Sequence, residues 1–224
     1  MNEQTPDQTM TREDIAGLRG QADVVLVERD LDALDLSNLD LGGFRFERCT
    51  FRNTDFTGCQ LEYASFSHCK GGGANFTAAK LASAVFRSSD LHNGRFIGTS
   101  LAECQFVGCK LMGADFSRSR NVGLVFLETN LGSAHLAGMS FRKQTLERID
   151  FSLADLSACD FRDAVFEDCS LRDTHLLNAR FEGADLRGAD LGGVRLNDAR
   201  KFKGAFISRA QASALLAEMG LNVR

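Results

Sequence analysis

Proline, tyrosine and tryptophan are almost absent from this 224-residue sequence: Pro6 and Tyr63 stand alone, and there is no tryptophan. No run approaches the roughly 20 apolar residues that a membrane-spanning helix needs, so no membrane partner is expected. The opening residues, MNEQTPDQTMTRED, lack the apolar core of a secretion signal, which points to a cytoplasmic chain. A formal charge of −4 argues against direct nucleic-acid binding, because phosphate backbones are held by Lys and Arg. Also missing are a Gly-rich phosphate loop with a lysine, an HExxH pair and any convergent Ser, His and Asp set. The expectation is therefore a protein without enzymatic activity and without a cofactor. Against these gaps stand 18 Phe and 7 Cys. An odd number of cysteines cannot pair completely, which fits a reducing compartment better than a disulfide framework.

The phenylalanines follow a strict period. From Leu26 every fifth residue is Leu or Phe, through Leu31, Leu36, Leu41, Phe46 and Phe51 to Leu196. Of the 35 positions in that frame only Gly71 and Asn121 break the rule, and 15 of the 18 Phe lie in it. Phe44, Phe202 and Phe206 do not. On an α-helix, steps of five rotate by about 140°, which scatters these side chains around the cylinder. Along a straight strand an odd step throws successive residues onto opposite faces. The chain must bend within every repeat so that each large side chain returns to a common interior.

Over 49–119 and 154–189 the position two residues before each member of the frame is small. All seven cysteines (Cys49, Cys59, Cys69, Cys104, Cys109, Cys159 and Cys169) occupy it, interspersed with Ala, Ser, Thr and Gly. Residues two apart in extended chain point the same way, so these cysteines are read as compact core fillers, not metal ligands. The four histidines, His68, His92, His135 and His175, fall at outward positions, away from the thiols. Gly71-Gly72-Gly73 lacks the flanks of a phosphate loop and is expected to mark a coil whose wall bends or thins, with Asn121 as a second such place.

Ala74-Asn75-Phe76, Ala114-Asp115-Phe116, Ala154-Asp155-Leu156, Ala184-Asp185-Leu186 and Ala189-Asp190-Leu191 resemble the A-(D/N)-(L/F) signature of pentapeptide-repeat proteins. The resemblance covers about 170 residues. It implies an all-β solenoid, a right-handed quadrilateral β-helix of nearly nine coils with four repeats per coil and short terminal helices. Three segments are expected: a polar tail and N-terminal cap helix over 1–20, the β-helix over 21–206, and a C-terminal helix and tail over 207–224.

A solenoid needs its ends covered. Thr11-Arg12-Glu13-Asp14 resembles a capping box that opens a short helix, and Ser208-Arg209-Ala210-Gln211 a second one. After the latter, Ala212, Leu215, Leu216 and Met219 share one helix face, Gly220 stops the helix, and Leu221 begins an extended tail. This face either caps the rod or meets a partner. The ending resembles that of the Qnr-type fluoroquinolone-resistance and related topoisomerase-protecting members of the family, which implies a homodimer joined tail to tail through Ala212, Leu215, Leu216, Met219 and Leu221.

Charge is unevenly spread. Residues 1–79 carry a net −6, 80–149 a net +4, 150–198 a net −6 and 199–224 a net +4. The second acidic stretch holds Asp150, Asp155, Asp160, Asp163, Glu167, Asp168, Asp173, Asp185 and Asp190. The resemblance implies that such carboxylates mimic DNA and occupy the basic saddle of DNA gyrase or topoisomerase IV, inhibiting the enzyme or protecting it from drugs or toxins. No projecting loop interrupts the repeats, so the chain is similar to the loop-less members. Two alternatives stay open. Any one Asp before a central residue can instead bond turn backbone, and the whole chain can serve as a generic protein-interaction scaffold.

Overall fold

The computed structural model describes residues 9–194, 199–218 and 220–222. The chain forms two compact units, residues 1–125 and 126–224. In the first, helix α1 (Arg12–Ala16) precedes strands β1 (Val25–Val27), β2 (Arg45–Glu47), β3 (Ser65–Ser67), β4 (Val85–Arg87) and β5 (Gln105–Val107). The second holds β6 (Val125–Leu127, starting at the boundary), β7 (Thr145–Glu147), β8 (Val165–Glu167), β9 (Cys169–Ser170) and β10 (Ala189–Asp190). A 3-10 turn over Ala199–Phe202 and helix α2 (Arg209–Glu218) complete it.

Strands pair in parallel with partners 20 residues on: Leu26 with Phe46 and Phe46 with Phe66 in the first unit, Leu146 with Phe166 in the second. Single bridges at the same spacing, such as Asp30 with Thr50, Asp35 with Asp55 and Asp40 with Gln60, define the other three faces. Four pentapeptides make one turn, and the protein is the expected quadrilateral β-solenoid. β1 to β8 contribute one strand to each of eight turns, and β10 belongs to an incomplete last one.

The bend in each repeat has one cause. The second residue after each described central Leu or Phe, Leu186 excepted, takes a left-handed conformation, as at Asn38 (φ 59°), Asn53 (φ 54°), Asn93 (φ 55°) and Asp163 (φ 59°). L-residues adopt this region at a cost, which the next turn offsets by accepting the corner N–H; Asn38 N, for example, donates to Thr57 O at 2.8 Å. At some corners the next turn must also lack a side chain. Asn53 Oδ1 lies 2.4 Å from where a Cβ on Gly73 would sit, and Asn93 Oδ1 equally close to that of Gly113.

Every Leu and Phe of the five-residue frame that the structure describes is buried, none more than 8% exposed. Rings stack along each face, Phe46 on Phe66 at 4.6 Å, Phe66 on Phe86 at 4.5 Å and Phe56 on Phe76 at 4.8 Å. Between faces they meet edge-on, as Phe66 meets Phe76 at 6.2 Å and 84°. Both geometries suit the aromatic quadrupole, and each buried ring stabilises the stack by about 1.5–3 kcal/mol before ordering costs.

Gly71 does not thin the wall. The Phe51 ring from the turn below fills the vacancy, with Cε2 only 1.8 Å from a Cβ built on Gly71. On the outside the His92 ring fills the space beside Gly72 in the same way, and Asn53 fills that beside Gly73. The three glycines make room for three side chains of adjoining turns. Asn121 is half-buried and lies four residues before the boundary between the units.

The small position is more than a filler. Its hydroxyl or thiol donates to the carbonyl of a central residue one turn below: Thr54 to Leu31 O at 2.6 Å, Cys59 to Leu36 O at 2.9 Å, Thr99 to Phe76 O at 2.9 Å and Cys159 to Leu136 O at 3.2 Å. A buried carbonyl left unpaired would be costly, so a small donor suits this position. Burial pushes the Cys59 and Cys159 thiols up to about 12, which keeps them protonated and donating.

Candidate functional site

The nine candidate carboxylates separate into two structural kinds. Asp150, Asp155, Asp160, Asp185 and Asp190 precede a central residue, and each Oδ1 accepts the backbone N–H two residues on, from Ser152, Ser157, Arg162, Arg187 and Gly192 at 2.9–3.2 Å. The first unit repeats this at Asp35, Asp55 and Asp115, so the bond belongs to the repeat. Short acceptors close tight turns in this manner. Three of the five are also paired with arginine: Asp160 with Arg162 at 2.6 Å, Asp185 with Arg187, and Asp190 with Arg172 at 2.8 Å.

At Asp155, Asp160, Asp185 and Asp190 these bonds favour the ionised carboxylate. The Arg162 side chain lowers Asp160 below its ordinary range, and the Arg187 side chain does so for Asp185. Asp190 is lowered by the Gly192 N–H and then by Arg172. Burial opposes ionisation of Asp155, but the Ser157 bonds and flanking His135 and His175 outweigh it, and its pKa is lowered too.

Asp163, Glu167, Asp168 and Asp173 are the second kind. All four are exposed, and the three aspartates sit on left-handed corners at φ 59°, 52° and 54°. Asp163 has Arg142 at 3.7 Å. They do not converge on one face: Glu167 and Asp168 follow Phe166, whereas Asp163 and Asp173 follow Phe161 and Leu171. What the fold does bring together is Glu167 with Glu147, in register on β8 and β7. Glu128 joins them through Arg148, whose guanidinium contacts both Glu128 and Glu147, and these contacts raise the Arg148 pKa, the Glu128 bond most. Glu128 and Glu147 escape a reading by segment because both lie in the basic stretch 80–149. Spacing by twenty is the signal that finds them.

The C-terminal residues also divide. Ser208 and Gln211 exchange the two bonds of a capping box, Ser208 N to Oε1 at 2.6 Å and Gln211 N to the Ser208 hydroxyl at 3.1 Å. Gln211 Nε2 donates to Leu186 O at 2.7 Å and Ala189 O at 2.6 Å, tying α2 to the last turn. Leu215 is 6% exposed and so is spent within the chain, while Leu216 (37%) and Leu221 (53%) face outward. Ala212 is half-buried, and Met219 lies outside the described residues. Gly220 ends α2 at φ 80°, with Gly220 N on Ala217 O and Leu221 N on Leu216 O. Phe206 (59%) and Ile207 (41%) add exposed apolar surface. Phe206 bridges Asp185, a spacing of 21 instead of 20, and the same one-residue slip places the Phe202 ring on Phe181 at 5.0 Å.

Among the described residues, no group of three or more His, Cys, Asp or Glu is placed to hold a metal ion, and no helix is long and apolar enough to cross a membrane.

Two family models match the chain: a pentapeptide repeat region over residues 39–116, and eight copies of pentapeptide repeats over residues 164–200. Together they span just over half of its length. The chain is a pentapeptide-repeat protein. Full-length QnrB1, a plasmid-mediated fluoroquinolone resistance protein, is similar to this pentapeptide-repeat protein at 24% identity and a TM-score of 0.73, over 89% of this chain and 98% of that one. A trypsin-treated variant of QnrB1 matches at 25% identity and a TM-score of 0.62, over 90% and 99%. HetL, a pentapeptide-repeat protein of heterocyst regulation from the cyanobacterium Nostoc, matches at 21% identity and 0.47, over 88% and 94%. No curated protein sequence matches the chain. What these likenesses establish for this pentapeptide-repeat protein is its fold.

Proposed function

We propose that the protein is a cytoplasmic DNA mimic that binds DNA gyrase or topoisomerase IV by occupancy, without chemistry, and inhibits the enzyme or protects it from quinolone-like drugs or toxins. The observation that carries this reading is the set of outward carboxylates in the second unit. Glu147 and Glu167 stand in register on neighbouring strands, with Glu128, Asp168, Asp163 and Asp173 exposed on adjoining corners. Strands spaced about 4.8 Å apart present such charges at regular intervals to the Lys and Arg of a DNA-binding surface. The likeness to QnrB1, a plasmid-mediated fluoroquinolone resistance protein, supports the drug-protection arm. Self-association belongs to the same reading. Leu216, Leu221, Phe206 and Ile207 are exposed apolar side chains of the C-terminal segment, and a second copy burying them gives a homodimer.

A supercoiling assay with purified gyrase and topoisomerase IV tests the proposal. Micromolar protein is expected to inhibit supercoiling or restore it in the presence of a quinolone, and the Glu147→Lys, Glu167→Lys double variant to lose the effect. Neither inhibition nor rescue sinks the reading. The alternative, a scaffold for another protein with no topoisomerase role, is favoured by one observation: Arg142, Arg162, Arg172 and Arg187 pair with four of the nine candidate carboxylates.

A further inference from the structure

Cys49 and Cys69 are the one pair among the seven cysteines that occupies the same position in consecutive turns. Every other cysteine has Ala, Leu, Ser, Thr, Met or Ile at both positions 20 residues away. The backbone beside the pair is tied, with Lys70 N donating to Cys49 O at 3.0 Å and Thr50 bridging Lys70. Paired strands hold facing Cα atoms about 5 Å apart, within the roughly 4.4–6.8 Å that a disulfide spans. The thiols point to the same interior, Cys49 Sγ towards Leu26 O and Cys69 Sγ towards Phe46 O, both at 3.3 Å. The influence of each thiol on the other lowers the Cys49 pKa and raises that of Cys69, and the attacking role is assigned to Cys49.

We propose that Cys49 and Cys69 are an oxidation site that closes to a disulfide when the protein meets a hydroperoxide. The Cys49 thiolate attacks one peroxide oxygen, the O–O bond breaks, and Cys49 becomes a sulfenic acid as hydroxide leaves and takes up a proton as water. The Cys69 sulfur gives up its proton and attacks the Cys49 sulfur. The S–S bond forms, the S–O bond breaks, and a second water departs. Two thiols and one hydrogen peroxide yield one disulfide and two waters; the sulfurs lose two electrons and the peroxide gains them. Cys49 is 1% and Cys69 2% exposed, which admits a small oxidant through local opening and excludes a bulky one. The product cross-links two successive turns and removes freedom from the unfolded chain.

The test treats the reduced full-length chain with hydrogen peroxide at neutral pH, quenches, denatures and alkylates it. The expected result is a loss of about 2 Da, two fewer alkylated cysteines, and one cross-linked peptide joining residues 49 and 69. The oxidised chain should melt at a higher temperature than the reduced one. Cys49→Ser should show neither the mass loss nor the cross-link. Serine suits this column, because Ser89 occupies it one turn above Cys69 and donates to Phe66 O and Arg87 O. Unchanged thiols, oxygen added without the 2 Da loss, or oxidation spread equally over Cys59 and Cys104 each overturn the proposal. If Cys49→Ser does not fold, the wild-type peptide map alone decides.

Discussion

The two ends of the chain solve one problem with different materials. At the N-terminal end, α1 buries Ile15 completely, and Arg12 donates to the open carbonyls of Asp35 and Ser37. At the C-terminal end, α2 buries Leu215 and uses the Gln211 amide on Leu186 and Ala189. The first seal is ionic, the second neutral. The first helix has five residues and the second ten, and only the second carries exposed Leu216 and leads to exposed Leu221. A cap that only closes an end has no use for that surplus; one that also meets a partner does.

The largest effects should come from the two buried seals. Ile15→Ala and Leu215→Ala are each expected to cost about 2–5 kcal/mol in denaturant unfolding. An unchanged midpoint for Leu215→Ala would show that α2 does not seal its end. Next are the polar caps. Gln211→Ala removes the side-chain donor from Ala189 O, while Leu186 O keeps the Ala189 N–H at 2.9 Å, and should cost about 1–3 kcal/mol where water cannot reach the freed carbonyl. Arg12→Ala exposes its carbonyls to water, so the loss should stay near the 0.5–1.5 kcal/mol of an ordinary hydrogen bond. Equal losses would erase the distinction between the ends.

Leu216→Asp should shift the mass in light scattering from dimer to monomer and lower the unfolding midpoint only by the stability that dimerisation adds. A monomeric wild type refutes the self-association reading at once. The smallest contrast is pH. The Thr11 N–H and then its hydroxyl hold the Asp14 carboxyl below its ordinary 3.8. A lowered folded value means that this cap contributes fully above the unfolded value and is lost as pH falls through the folded one. Gln211, in the equivalent place on α2, has no proton to gain. Amide exchange under acid should therefore speed up in α1 before α2, and loss of both together would contradict the assignment.

The interior was legible in the sequence because its rule is local: a large side chain every five residues and, over 49–119 and 154–189, a small one two before it. What escaped depends on the neighbour twenty residues away. Gly71 looks like a gap until Phe51 is placed beneath it. Asp160 and Asp163 look alike in a count of charge, yet one closes a turn against Arg162 and the other projects from a corner. Glu147 lies in a basic stretch of the sequence, although its spatial neighbour is Glu167. At the C-terminus, helical spacing placed Leu215 and Leu216 together, but only the docking of Gln211 decides which of them faces the last turn.

The corners carry a consequence for how such a chain can change in length. Removing one intact pentapeptide between Asn53 and Gly73 would leave every repeat readable and every central residue in frame. It would also set Ala78 above Asn53, with a methyl where the Asn53 oxygen now sits 2.4 Å from a virtual Cβ. Leu81 would replace Phe76 above Phe56, ending a stack now held at 4.8 Å. Removing four pentapeptides would instead deliver each later side chain to the same face it occupied before. Insertions and deletions in this molecule are tolerable in steps of twenty residues, although the text of the sequence advances in steps of five.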